Sequence, residues 1–117
     1  MPIYQYAICG GFIVFDILTG YLLALHDRNV NSTKLREGLF HKLSEIIALI
    51  GSNLAEYAML YLDFGVDIPL FNAVAIYICI SEMVSILENL GELNPGLKKL
   101  YGSYLEKLHT KDGEDEK

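Results

Sequence analysis

Apolar residues along this chain gather into three long runs separated by short polar segments. The first, residues 3–25, has 23 residues. As an α-helix it is about 35 Å long, enough to cross a hydrocarbon core of about 30 Å. The second covers residues 43–62 and the third residues 70–90. Residues 63–69 break the pattern with Gly65, two aspartates and a proline. Gly91 and then Asn94-Pro95-Gly96 end the third run. Two shorter elements flank the runs. Ser32 is placed to cap a helix that leads into the second. Asn94 and Pro95 read as the cap and first residue of another helix. In it Leu97, Leu100, Tyr101, Tyr104, Leu105 and Leu108 share one face. The expected fold is all-α: an integral membrane protein with three transmembrane helices and a C-terminal amphipathic helix over 95–108. Residues 1–108 then form one membrane domain and residues 109–117 a charged cytoplasmic tail.

Charge placement gives the runs a direction. All nine basic residues fall in two windows: Arg28, Lys34, Arg36 and Lys42, then Lys98, Lys99, Lys107, Lys111 and Lys117. A soluble helix scatters lysine along its wet face, so this segregation favours a membrane over a soluble helical bundle. Basic loops stay cytoplasmic. The N-terminus is therefore expected outside, the first loop inside, the acidic second loop outside and the C-terminus inside. Tyr4, Tyr6, Tyr61, Phe64 and Phe71 would lie at the outer interface, Tyr21 and Phe40 at the inner. Arg28, Lys34, Arg36, Lys42, Lys98, Lys99 and Lys107 are the expected inner-leaflet contacts. The 95–108 helix would lie on that leaflet; self-association through a coiled coil is the competing reading. The net charge of −6 argues against nucleic acid, which demands a basic face.

Each run also carries polar residues on one face. Asp16 and Thr19 align in the first; Glu45, Ser52 and Glu56 share a face of the second; Asn72, Ala75, Cys79, Glu82, Ser85 and Asn89 form a stripe on the third. No run contains a basic residue to pair with these acids, so they should face the bundle interior or water. Counted from the membrane surfaces, Asp16 and Glu82 fall at one depth. Asp16, Thr19, Ser52, Glu56, Glu82 and Ser85 are accordingly the candidates to line or trigger an aqueous opening; interhelical hydrogen bonding is their structural alternative. Small residues mark a second kind of surface. Ser44, Ala48, Gly51, Ala55 and Ala58 form a stripe on the second run, and Gly20 pairs with Ala24 on the first. Such stripes let helices approach closely in lipid, within one subunit or between subunits.

Chemistry of other kinds is absent from the pattern. There is no nucleotide loop, no nucleophile elbow and no metal-ligand spacing, so neither an enzyme nor a cofactor or metal site is expected. The two cysteines, Cys9 and Cys79, read as small packing residues inside apolar runs.

Several short blocks resemble the three-span phage holins, a family that includes holins of phi29-like phages and clostridial toxin-secretion holins. Asp16-Ile17-Leu18-Thr19-Gly20 resembles the family's D-x-x-x-G stretch. Ser32, Gly38 and Lys42 resemble its basic first loop. Ser81-Glu82 and Ser85-Ile86-Leu87-Glu88-Asn89-Leu90 resemble the end of its third span. The likeness covers roughly residues 12–108. It implies a protein that oligomerises with itself in the bacterial cytoplasmic membrane and opens timed lesions, releasing an endolysin that lyses the cell. A toxin-secretion protein, an antiholin partner that delays lysis, and a small proton or ion channel are the alternatives. The expected orientation can be checked with single cysteines introduced as Asp67→Cys and Lys34→Cys. An impermeant maleimide should label position 67 from outside intact cells and position 34 only after the membrane is opened.

Overall fold

A computed structural model of the chain describes residues 2–28 and 32–103. The expected Lys107 contact, the end of the amphipathic helix and the charged tail lie outside the described residues. Three long helices dominate: α1 (Ile3–His26), α2 (Ser32–Tyr61) and α3 (Leu70–Leu93). A short fourth helix, α4, is described over residues 95–103. All three long helices are apolar and long enough to cross a membrane. Among the described residues there is no strand.

Helices α1 and α3 have 24 residues each, about 36 Å of helix. Helix α2 has 30 residues, about 45 Å, which exceeds the hydrocarbon core. The excess lies at its N-terminal end. There the helix expected to start at Ser32 runs without a break into the second apolar run, carrying exposed Lys34, Arg36, Glu37 and His41. At the other end of α2, Gly65 adopts a positive φ of 75°, a conformation costly for any residue with a Cβ. It turns the chain toward Pro69 and α3.

Helix α3 is the centre of the bundle. It packs along both α1 and α2, whose backbones hardly approach each other. Contacts climb α1 and α3 in the same order: Tyr6 with Phe71, Cys9 with Ala75 and Cys79, Asp16 with Asn89. The two helices therefore run parallel, and α2 runs antiparallel beside them. The core is thin: Cys9, Ile13, Leu49, Phe71, Ala75 and Ile78. Large apolar side chains instead point outward, among them Phe15, Ile47, Leu54 and Tyr77. In water that surface would be a liability; against lipid tails it is matched.

The turn from α3 into α4 follows from its residues. Asn94 leaves helical geometry, and its Oδ1 accepts hydrogen bonds from the backbone N–H groups of Gly96 (3.0 Å) and Leu97 (3.4 Å). That is the expected N-cap, with Pro95 next in line where its missing N–H costs nothing. Gly91 is buried, and a Cβ there would meet the Lys98 Cα at 3.3 Å, so α4 folds back closely on the end of α3. Asn94→Ala should cost α4 about 1 kcal/mol. In detergent-solubilised protein, amide exchange over residues 95–103 should quicken about fivefold, with Asn94→Asp keeping the native protection.

Candidate functional site

The polar side chains of the three helices meet in layers. Nearest the α2–α3 turn, the Tyr6 ring packs on Phe71 at 5.2 Å between centroids, and Asn53 Nδ2 donates to the Tyr6 hydroxyl at 3.0 Å. Beside them Glu56 Oε1 accepts from the Phe71 backbone N–H at 3.3 Å. Phe71 is the second residue of α3, so Glu56 supplies that helix with an acceptor and a negative charge at its N-terminus. Pro69 and Leu70 offer no side chain that could do so.

The next layer is small and apolar. Cys9, Ile13, Leu49, Ala75 and Ile78 fill it. Ser52 is buried here and bonds back to the Leu49 carbonyl at 2.8 Å, which satisfies its hydroxyl within its own helix.

Beyond it lies a charged layer. Lys42 Nζ donates to Asp16 Oδ2 at 2.5 Å and to Glu82 Oε2 at 2.9 Å. One ammonium from α2 thus joins a carboxylate of α1 to a carboxylate of α3. The side chains are 13%, 11% and 2% exposed respectively, so the cluster lies largely out of reach of solvent. Asn89 completes it, donating at 3.0 Å to both Asp16 Oδ1 and Thr19 Oγ1. The Thr19 hydroxyl donates to the Asp16 carbonyl at 3.1 Å. Gly20 lies beside this group: a Cβ there would stand 3.6 Å from Asn89 Nδ2, an ordinary van der Waals contact.

Lys42 corrects one expectation. Two acids of the spans, Asp16 and Glu82, do have a basic partner. The second apolar run begins at Leu43, which placed Lys42 outside it among the inner-leaflet contacts. Because α2 is continuous across that boundary, Lys42 lies on the helix face that meets α3, and its four-carbon stem carries the ammonium inward. Three further participants were not among the candidates: Asn89, Asn53 and Glu45. Asn89 lies seven residues after Glu82 on one stripe, a spacing that could have singled it out. Glu45 adjoins Glu82. It is 4% exposed, and neither of its carboxylate oxygens has a hydrogen-bond partner. His41 Nε2, one helical turn away, stands 3.8 Å from it, too far for a hydrogen bond.

The remaining candidates are spread out. Ser85 is half-buried on α3. Of the small residues, Gly20 packs within the subunit, while Ala48 and Gly51 are exposed on α2 and Ala55 and Ala58 are half-buried; a Cβ on Gly51 would meet nothing. Arg28, Lys34, Arg36 and Lys99 are exposed at the Lys42 end of the bundle, as is Lys98, which pairs with Glu92 at 3.2 Å.

Three membrane-capable helices with an apolar exterior and a charged interior narrow the comparison to small membrane proteins. A model of the bacteriophage holin family matches residues 5–110, nearly the whole chain. The chain belongs to the bacteriophage holin family. It is a multi-pass protein of the cytoplasmic membrane, and its family is one of pore formers rather than enzymes. No match was found among curated proteins or solved structures. The match spans all three long helices, so the charged layer belongs to the holin domain itself. Removing the cation alone should be costly in this holin. Lys42→Met leaves two buried carboxylates without their cation, a loss of about 3 kcal/mol or more. The triple variant Lys42→Met, Asp16→Asn, Glu82→Gln should recover most of it. Thermal unfolding in detergent reads both, and a single variant as stable as the wild type would show that the cluster does not hold the helices.

Proposed function

We propose that this holin accumulates in the cytoplasmic membrane with its N-terminus outside, associates with further copies of itself and opens lesions at a set time. Endolysin is the cargo that would then reach the cell wall. The observation that carries this reading is the charged layer. Lys42, Asp16 and Glu82 are mutually satisfied only while α1, α2 and α3 stay together, because each comes from a different helix. Separation of the helices in lipid would strand three charges at several kcal/mol each. Separation around water would instead hydrate them. The closed bundle is thus stable in a dry membrane and loses its reason to stay closed once polar faces of neighbouring copies can share water.

Two features bias that balance. Glu45 is buried without a donor, so closing the bundle leaves one carboxyl unsatisfied that water would satisfy. The outward stripe of Ala48 and Gly51, continued by Ala55 and Ala58, offers a surface on which another copy's helix can lie closely. We assign Asp16, Thr19, Glu82 and Ser85, together with Lys42 and Glu45, to the face that lines the lesion. Ser52 joins it only if α2 turns, and Glu56 serves first as the acceptor at the start of α3. The exposed Arg28, Lys34, Arg36, Lys98 and Lys99 suit contact with anionic headgroups of the inner leaflet.

Expression in a bacterium should stop growth abruptly and collapse the membrane potential. Asp16→Asn and Glu82→Gln should insert normally and shift the time of collapse. Sustained growth with the potential intact would overturn the lesion reading. Delay of a partner's lysis on co-expression would indicate an antiholin, and liposomes that pass protons but retain proteins would indicate a channel.

A further inference from the structure

The two cysteines are in contact, although 70 residues separate them in sequence. Cys9 Sγ on α1 lies 3.8 Å from Cys79 Sγ on α3 and 3.7 Å from the Ala75 carbonyl. Both are free thiols. Their neighbours hold them in register. The Tyr6–Phe71 ring contact lies on one side, and the Asp16–Asn89 hydrogen bond lies on the other. Packing alone does not call for two thiols to face each other across a helix pair.

We propose that Cys9 and Cys79 are a disulfide-forming pair, and that oxidation clasps α1 to α3. The sulfurs must approach by about 1.8 Å to bond, within reach of side-chain rotation and a small helix shift. The oxidant is a membrane-permeable disulfide. Cys79, half-buried where Cys9 is 1% exposed, attacks first as the thiolate. It displaces one thiol of the reagent and forms a mixed disulfide. Cys9 then attacks the Cys79 sulfur and displaces the second. The chain loses two protons and two electrons, the reagent becomes two thiols, and one S–S bond is exchanged for another. The clasp joins the helices that contribute Asp16 and Glu82, so α1 can no longer swing away from α3 to expose the charged layer. Its effect on opening rests on the holin reading above; the bond itself does not.

The test uses the full chain in liposomes of phosphatidylethanolamine and phosphatidylglycerol, treated with a lipid-permeable dipyridyl disulfide. Two thiopyridones should be released per chain, and the intact chain should become two hydrogens lighter with no pyridyl group retained. A phosphine should reverse this. Cys9→Ser should stop at the mixed disulfide on Cys79, which shows that the site is reached and the fold intact. Retained pyridyl groups on the wild type, or covalent dimers in place of the internal bond, would overturn the proposal. Release of a trapped protein should fall about tenfold on oxidation, with no change in the Cys9→Ser, Cys79→Ser double variant. An oxidised chain that releases cargo as fast as the reduced one would overturn the clasp. A reduced chain that releases nothing would count against the holin reading instead, and the thiopyridone stoichiometry would still decide the bond.

Discussion

One ammonium holds this bundle's polar interior together. Lys42 reaches from α2 to Asp16 on α1 and Glu82 on α3. Where water is scarce, such a contact is worth far more than at a surface, and each of its charges is intolerable alone. The rest of the architecture accommodates it. Asn89 donates to the free oxygen of Asp16 and fixes that carboxylate toward Lys42. The length of α2 allows the chain to enter the membrane region with a lysine already on its packed face. Central placement of α3 brings Glu82, 2% exposed, between its two neighbours.

The arrangement reconciles two demands on a pore-forming protein. It must insert and remain harmless, so its polar groups need partners within each copy. In the proposed lesion the same groups would face water, where apolar side chains could not replace them. Hydrogen-bonded charges meet both demands, because water can substitute for the protein partners at little cost. An apolar core of the same volume would stay closed. Here the apolar core is confined to a few side chains, and most large apolar residues face outward. Little hydrophobic free energy binds the helices in lipid, where the surroundings are as apolar as the side chains. The charged layer and close helix contacts therefore carry the cohesion of the three helices.

Glu56 illustrates how a residue's surroundings divide its chemistry. In the sequence it shares a polar face with Glu45 and Ser52, and all three look alike. In the structure each has a different fate. Glu56 accepts from the backbone at the start of α3, Ser52 turns back on its own helix, and Glu45 is left without a donor. Only the path of α3 across α2 distinguishes them.

Much was legible in the chain alone. Hydrophobic runs determine the three spanning helices, because backbone groups in lipid must bond within their own segment and few alternatives exist. Asn94 and Pro95 determine the start of α4, since capping is a local matter of one side chain and its nearest N–H groups. Helical spacing put Asp16, Glu82 and Asn89 on inward faces. The tertiary structure decided what those faces meet. Hydropathy drew the edge of the second span at Leu43, one residue too late to count Lys42, and no periodicity on one helix specifies which side chain of another lies opposite. That Asp16 and Glu82 share a cation, and that Cys9 faces Cys79, depends on the parallel packing of α1 with α3 and the register between them. Register is a property of two helices together, written in neither one.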